Sequence, residues 1–428
     1  MARNTAKGSE AQPTLLVTDA TRGSAISIIR SLGRSGWRVI AADSDPNSLG
    51  FRSRYADERI VYPAPEAGPG DVVDFLLHVA RDRGVDVLVP VSDAVLLPLS
   101  KQRDRFAGIC RLAVPDVEAL DAVTDKLQTL ELARREGVPV PKTHPVESIS
   151  EACKRAEDLA WPVVLKPQRS VLLREGADRM DHFSVSYAED PADLSEQMRP
   201  LEGRITVLLQ EYSPGRGCGV ELLMHEGRPL AAFQHERLSE IPVSGGASAL
   251  RKAVPLDPVL FRHSVRLLEA LEWTGLAMVE FKVGPEGPRL MEINGRVWGS
   301  LPLAVWSGVD FPRLLAELML NGPPDPGTEP FTEYRLGTRS RNLELEMLWI
   351  AQVLRGRPRY PFLPVPNRLR GVQALLRLLD PTCHFDILSL RDPRPGLAEI
   401  PRIARKLRGK VSKATRQPVP ARPAAPRA

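Results

Sequence analysis

The residues best suited to chemistry lie in two short runs, 278–283 (MVEFKV) and 289–296 (RLMEINGR), separated by the turn-forming sequence GPEGP. Two strand-like runs around a Gly/Pro turn predict a β-hairpin. Because side chains alternate along a strand, antiparallel pairing can place Glu280 and Glu292 on one face, with Asn294 two residues further along it. Oxygen ligands of this kind suit Mg²⁺ that bridges phosphates. Arg296, just past the second strand, could neutralise a phosphoryl group during transfer.

A surface hairpin with solvated glutamates would show the same pattern, so residues upstream must decide between the two interpretations. Lys166 follows the apolar run 161–165 and precedes Pro167, which places an ammonium group at the end of a buried strand. A lysine there either extends from the edge of the core or holds a nucleotide phosphate. Residues 210–212 (QEY) close another strand before Ser-Pro-Gly, where the main chain of a linker could read an adenine edge.

Together these residues resemble the nucleotide site of the ATP-grasp superfamily, whose members include carbamoyl phosphate synthetase, biotin carboxylase and D-alanine:D-alanine ligase. The resemblance covers roughly residues 13–320 and is most specific at residues 291–296 (MEINGR), which are similar to the E-x-N-x-R signature of the family. Gly295 stands where proline is common in the family, and glycine also permits a tight turn.

The resemblance implies a role for each candidate residue. Glu280, Glu292 and Asn294 would bind Mg²⁺, or Mn²⁺ in its place, and Arg296 and Lys166 would act catalytically on the phosphates. ATP would be bound by Lys126, Lys166, Gln210, Glu211 and Tyr212. The family usually has a short glycine-rich loop after the strand that carries Lys166. The corresponding segment 168–181 has a single glycine, Gly176, and many charged residues.

A second loop, residues 240–248, has two glycines and two hydroxyl side chains after a strand-like run that contains Arg237. A flexible backbone with several donors suits contact with a phosphate or a substrate carboxylate, although a plain surface turn is the alternative. We therefore expect Arg237, Gly245, Gly246 and Ser248 to contact substrate. His235 could act as a base, but a single histidine more often satisfies a local hydrogen bond.

The elements that must position these residues follow from hydrophobic periodicity. Strands alternate with helices over residues 13–115, beginning with a strand at 15–17 and a helix whose apolar residues Ala25, Ile28, Ile29 and Leu32 share one face, which predicts a doubly wound parallel sheet. The first loop, 18–24, has a single glycine and lacks G-x-G-x-x-G, so the pattern favours an ordinary strand-to-helix turn over a dinucleotide site. Residues 116–137 show one continuous helical pattern.

The predicted fold class is mixed α/β and α+β, and the chain divides into four segments. We expect a Rossmann-like pre-ATP-grasp domain at 13–115, a two-lobed ATP-grasp domain at 116–325, a mainly helical extension at 326–412 and a disordered basic Pro/Ala-rich tail at 413–428. The boundary near 325 rests on the sequence GPPDPGTEP at 322–330, since closely spaced prolines block both helix and central strand.

Composition excludes several other classes. A chain of 428 residues with 43% apolar and 26% charged residues is typical of a soluble protein of about three domains. Its four cysteines lie far apart without a C-x-x-C pair, and the N-terminus lacks an apolar signal core. We expect a cytoplasmic protein without a transmembrane segment and without specific nucleic-acid binding.

The net charge of +5 comes from the C-terminus, because residues 401–428 contain nine lysines and arginines and no acidic residue. Ile400, Ile403, Leu407 and Val411 form a narrow apolar stripe there, which favours an amphipathic helix docked on its own protein. Weak contact of the tail with an anionic surface is the alternative.

The chemistry implied by the resemblance is ATP-dependent activation of a carboxylate as an acylphosphate, followed by capture by an amine. The expected partners are small-molecule carboxylates and amines, and homodimer formation is left open. Two alternatives stay open: a carbamoyl-phosphate-type enzyme that acts on bicarbonate or carbamate, and a non-catalytic nucleotide-binding regulatory module. The complete set of Glu280, Glu292, Asn294 and Arg296 argues against the module, because binding alone needs fewer of these groups.

Overall fold

The computed structural model describes residues 12–65, 68–169, 171–173, 180–182, 185–243, 245–356, 360, 362–363 and 366–414. Gly176 and residues 415–428, which include most of the predicted disordered tail, lie outside this range. Within the described part of the chain, no helix combines the length and the apolar composition needed to cross a bilayer. The cysteines carry no disulfide.

The N-terminal part is a five-stranded parallel sheet with helices between its strands, as the alternating pattern predicts. Its strand order is β3-β2-β1-β4-β5, and β1 is buried along its whole length. The predicted apolar helix face packs in the core beside β1. The elements are β1 (Thr14–Val17), α1 (Gly23–Arg34), β2 (Arg38–Asp43), β3 (Glu58–Val61), α2 (Pro69–Asp82), β4 (Val87–Val89), α3 (Asp93–Lys101) and β5 (Arg111–Leu112).

The single helix expected at 116–137 is two helices, α4 (Val117–Thr124) and α5 (Lys126–Arg135). Asp125 separates them because its side chain accepts hydrogen bonds from the backbone N–H groups of Leu127 and Gln128, at 3.0 and 3.3 Å. A side chain that caps a new helix in this way ends the preceding one. The break makes Lys126 the first residue of α5.

A four-stranded antiparallel sheet with order β10-β7-β11-β6 follows, covered by two helices. A separate antiparallel pair, β8 with β9, is formed by the residues on either side of 174–179. The elements are β6 (Thr143–Val146), α6 (Ile149–Ala156), β7 (Val163–Pro167), β8 (Val171–Leu173), β9 (Met180–His182), β10 (Ser186–Ala188), α7 (Pro191–Met198) and β11 (Val207–Glu211).

The largest sheet has seven strands in the order β16-β15-β12-β13-β14-β17-β18, and every pair is antiparallel except β17 with β18. Its last two strands come from residues beyond 326, so the C-terminal segment extends this sheet as well as adding helices. The elements are β12 (Arg216–His225), β13 (Arg228–Ile241), β14 (Ala247–Ala253), α8 (Pro258–Glu269), β15 (Gly275–Gly284), β16 (Gly287–Asn294), α9 (Leu301–Ser307), α10 (Phe311–Asn321), β17 (Arg339–Arg341), α11 (Leu343–Arg355), α12 (Arg368–Arg377), β18 (Cys383–Phe385) and α13 (Pro393–Ala414).

A buried ion pair ties the C-terminal segment to the N-terminal sheet. Arg30 of α1 donates from Nε to Asp392 at 2.9 Å, and its Nη2 donates to the carbonyl of Ile387 at 2.7 Å. Asp392 also accepts from the Ser53 hydroxyl at 2.8 Å and from the Arg54 amide at 3.0 Å. The start of α13 is thereby fixed on the first domain. Of the predicted apolar stripe, Ile403 is buried, whereas Ile400 is 49% exposed, so only part of the stripe docks as expected.

We expect Asp392→Ala to lower the free energy of unfolding by about 3–5 kcal/mol, because it leaves the Arg30 guanidinium buried without its counter-ion. The measurement is the midpoint of urea unfolding followed by circular dichroism. Glu317→Ala is the matched control, since Glu317 pairs with Arg313 at 3.7 Å on the exposed surface. An exposed pair contributes less than about 1 kcal/mol, so equal shifts in the two variants would contradict this account.

Candidate functional site

The β15–β16 hairpin brings the two predicted carboxylates directly opposite each other. Glu280 pairs with Glu292, and Asn294 pairs with Met278. Because the register shifts after Glu280, Met291 is an extra residue in β16, and this bulge sets the pairing of the two glutamates. Asn294 donates its amide to Glu280 Oε1 at 2.9 Å and lies 3.5 Å from Glu292 Oε1.

A chain of ion pairs connects this hairpin to the second predicted loop. Arg237 of β13 pairs with Glu280 at 2.5 Å and with Glu240 at 3.2 Å, and it donates to the carbonyl of Gly246 at 3.3 Å. Lys282 pairs with the other oxygen of Glu240 at 2.9 Å. Residues 240–248 are therefore attached to the carboxylate pair through Arg237.

The two carboxylates differ in their electrostatic surroundings. Burial raises the pKa of Glu280 above its ordinary value, although Arg237 opposes this effect. Burial opposes ionisation of Glu292 as well, but the positive charges of Lys126, Lys166 and Arg237 outweigh it and hold the pKa of Glu292 below its ordinary value. The ionised form of Glu292 is therefore favoured, as a metal ligand requires. A further positive charge beside Glu280 would stabilise the ionised form of that side chain too.

The lysines reach Glu292 from two different elements. Lys166 lies on β7, opposite Leu208 of β11, and burial lowers its pKa to about 8. Lys126 is buried at the start of α5, and its amide donates to the carbonyl of Gln168 at 3.0 Å. Burial also lowers the pKa of Lys126, while the charges of Glu292 and Asp93 oppose that shift.

A cleft of about 460 Å³ lies between the four-stranded and seven-stranded sheets, and all but one of the predicted site residues line it. The predicted residues on its wall are Lys166, Gln210, Glu211, Tyr212, Arg237, Gly245, Gly246, Ser248, Glu280, Glu292, Asn294 and Arg296. Lys126 lines a neighbouring cavity of about 400 Å³, which shares Glu292, Asn294 and Arg296 with the cleft. The structure thus brings the predicted set to one place, and their individual roles stay predictions.

The predicted adenine-binding residues lie where β11 ends. The buried Gln210 donates to the Thr143 hydroxyl at 2.8 Å. Glu211 pairs with Arg289 of β16 and accepts from the Lys142 amide at 3.0 Å. These bonds join the end of one sheet to the edge of the other, so this side of the cleft has a defined shape.

Arg296 is held by the N-terminal domain. Its Nε donates to both oxygens of Asp93, at 2.9 and 3.0 Å, in the first turn of α3. His235 is fully buried, and its Nδ1 lies 3.0 Å from Glu221 Oε1. It does not line the cleft, but neither of its ring nitrogens makes a hydrogen bond, so the expected local hydrogen bond is not found.

The sequence did not predict a role for several residues that line the cleft. Lys282 lies two residues after Glu280 on the same strand, so the period of two could have revealed it. Glu240 and Arg251 gave no comparable signal, because their positions depend on the pairing of β13 with β14 and its irregular register. The Arg251 guanidinium is buried, donates to the Ser248 carbonyl at 3.0 Å and pairs with Asp386.

The donor set fits Mg²⁺. Glu280, Glu292 and the Asn294 side-chain oxygen are the hard ligands that this ion prefers. The described residues contain no group of three or more His, Cys, Asp or Glu side chains able to hold a metal by themselves. Mg²⁺ usually keeps waters and phosphate oxygens among its ligands, so a site with few protein carboxylates suits an ion that arrives with a nucleotide.

Residues 204–344 match the family model described as ATP-grasp in the biosynthetic pathway with Ter operon. The chain is 24% identical over 392 residues to a putative urea carboxylase of Emericella nidulans, covering 85% of this chain and 30% of that protein. It is also 24% identical over 307 residues to the carbamoyl phosphate synthase large chain of Thermomicrobium roseum, covering 69% and 27%. The chain therefore spans less than a third of the length of either relative.

Solved structures share the fold. The biotin carboxylase domain of Hydrogenobacter thermophilus 2-oxoglutarate carboxylase, in complex with MgADP, ADP and bicarbonate, matches with a TM-score of 0.60 and 17% identity over 76% of this chain and 73% of that one. The L-amino acid ligase of Bacillus licheniformis matches with a TM-score of 0.57 and 15% identity over 73% and 75%. Together with the geometry above, these findings support the similarity of the chain to the ATP-grasp superfamily, and the solved structures show that it shares their fold.

Proposed function

We propose that this protein is an ATP-dependent ligase that activates a carboxylate as an acylphosphate for capture by an amine. The observation that carries the proposal is the pairing of Glu280 with Glu292 in a cleft that also presents Lys166 and Arg296. A site that only bound nucleotide would have less need of a carboxylate pair with cations from several elements around it.

In this proposal a substrate carboxylate oxygen attacks the γ-phosphorus of ATP, and the bond from that phosphorus to the bridging oxygen of ADP breaks. Glu280, Glu292 and Asn294 would hold Mg²⁺, which supplies charge neutralisation to the phosphates when it is bound. Lys166 would hold phosphate oxygens, and Arg296 would balance charge on the transferred group. The amine then attacks the acyl carbon and releases phosphate, so no nucleophilic side chain of the protein is required.

The residues around the phosphates would act chiefly by positioning. Asp93 fixes the direction of Arg296, and Arg237 fixes Glu280 against β13. Arg237, Gly245, Gly246 and Ser248 are the residues we assign to the substrate on this basis. Holding reactants in attack geometry supplies a large part of the rate enhancement in reactions of this kind.

A second candidate is a carbamoyl-phosphate-type reaction on bicarbonate or carbamate. It is supported by the similarity to a carbamoyl phosphate synthase large chain and by the fold shared with a carboxylase domain crystallised with bicarbonate. The two candidates are separated by measuring ADP release with bicarbonate alone and with a panel of amino and hydroxy acids combined with amines. Release that needs bicarbonate and no organic acid would favour the second candidate.

We expect Glu292→Ala to lower substrate-dependent release of ADP and phosphate by about 100-fold or more, because even outer partners of a metal site contribute 10–100-fold. The matched control is Glu286→Ala, which changes a glutamate of the same hairpin that is exposed and pairs with Arg289 at the surface. The ligase proposal fails if no acid and amine raise turnover above background, or if Glu292→Ala equals the wild type. Nucleotide binding without any turnover would favour the regulatory module.

Lys166 should give the reaction an alkaline limit. Burial lowers its pKa to about 8, so the side chain is charged below this pH and loses its proton above it. A neutral amine holds phosphate poorly, and we expect kcat/KM for ATP to fall as the pH rises through about 8. In Lys166→Arg the guanidinium stays charged, so this fall should disappear even if the overall rate is lower.

The control for this pH profile is Lys142→Arg, which changes an exposed lysine paired with Asp158 outside the cleft. Its profile should match that of the wild type. An alkaline fall that persists unchanged in Lys166→Arg would assign the titration to another group.

A further inference from the structure

Helix α12 presents its large apolar side chains to solvent and its small residues to the protein. Gly371 and Ala374 are buried against α11, where a Cβ at Gly371 would lie 2.9 Å from Leu354 Cδ2. On the opposite side, Leu369 is 62% exposed, Leu376 is 67% exposed and Leu379, just past the helix, is 84% exposed. A surface helix normally has the reverse arrangement. The exposed apolar side of α12 is therefore a candidate surface for contact with a partner.

The exposed apolar residues form a continuous surface. At about 100° per residue, they occupy an arc of roughly 120° on α12. Val372 and Leu375, each 46% exposed, fill the positions between the leucines. We call this set the α12 face; it consists of Leu369, Val372, Leu375, Leu376 and Leu379.

Arg368 lies within the arc of the α12 face, whereas Arg370 and Arg377 lie about 80–100° beyond its edge, on the side of α12 that lines a neighbouring cavity. Arg368, Arg370 and Arg377 are exposed, and residues 368–379 contain no acidic side chain. Arg370 and Arg377 also line a cavity of about 420 Å³ beside the helix, whose wall includes Leu250 and Trp349. Glu346 lines this cavity too, but its carboxylate is paired with Arg341 at 3.1 Å.

The charge of the surrounding segment has the same sign. Residues 326–428 contain twenty lysines and arginines and eight acidic residues, so the whole net positive charge of the chain resides in this part. The remainder of the chain is net negative. A partner attracted to the α12 face must therefore be anionic and must also accept exposed leucines.

We propose that the α12 face docks the protein on an anionic lipid bilayer. A helix with leucines on one side and arginines beside them lies in the plane of a membrane, with the apolar residues in the acyl boundary and the cations at the headgroups. Arg368, which is exposed within the same arc as the leucines, is placed to hold a lipid phosphate. A nucleic acid would leave the leucines in water.

The test is co-sedimentation of the full-length protein with vesicles of phosphatidylcholine and with vesicles that also contain phosphatidylglycerol. We expect binding to the anionic vesicles only. Leu369→Gln/Leu376→Gln should weaken it about tenfold or more, because two leucines no longer leave water. Arg368→Gln should weaken it without changing the apolar surface.

The matched control is Leu336→Gln/Leu390→Gln, which changes two leucines that are 58% and 98% exposed elsewhere in the same basic segment. It should bind anionic vesicles as the wild type does, and circular dichroism should show all variants folded. The proposal is overturned if the wild type does not bind anionic vesicles. It is also overturned if the α12 variants bind as strongly as the wild type, since the basic residues 401–428 would then carry the contact.

A third contrary result is a dimer in solution that the α12 variants dissociate while vesicle binding is absent. It would assign the α12 face to a second copy of the chain. ADP release in vesicle-free solution should be equal in all variants, so failure of this proposal leaves the proposed ligase activity unaffected.

Discussion

The site depends on one constraint: Glu280 and Glu292 face each other across a hairpin, where burial disfavours the charge of each carboxylate. Two carboxylates in that position repel, and burial raises the free energy of both charges. Positively charged side chains from different elements offset this electrostatic cost. Arg237 contacts Glu280, while Lys126 and Lys166 act on Glu292. The surrounding strands and helices hold those cations close to the two carboxylates.

Each part of the chain supplies one piece of this compensation. The four-stranded sheet carries Lys166, the break between α4 and α5 places Lys126, and β13 carries Arg237. The N-terminal domain contributes Asp93, which pairs with Arg296 and fixes the position of this cation just after β16. A change in the relative placement of these parts would leave the two carboxylates with less opposing charge, which couples the domain arrangement to the chemistry of the cleft.

Much of this could be predicted from the sequence because the governing rules are local. Strand alternation and the Gly/Pro turn predict that Glu280, Glu292 and Asn294 share a face, and the register confirms it. The parallel N-terminal sheet also follows from simple periodicity. The split at Asp125 was missed because apolar spacing continues through it, and only the capping hydrogen bonds end the first helix. Arg251 and Glu240 could not be found, since an irregular register between two long strands decides where they lie.

The C-terminal segment forms part of the cleft wall, and this bears on substrate choice. Asn342 and Leu345 line the cleft, and Arg251 on the same wall pairs with Asp386, which follows β18. Burial raises the pKa of Asp386, and the Arg251 charge opposes that shift, so the two groups hold each other in place. Asn342, Leu345 and Asp386 all come from beyond residue 326, although the match to the family model extends to residue 344 and so includes Asn342. The shape of this wall of the cleft, and with it the choice of any substrate, therefore depends on side chains of the C-terminal segment as well as on the shared fold.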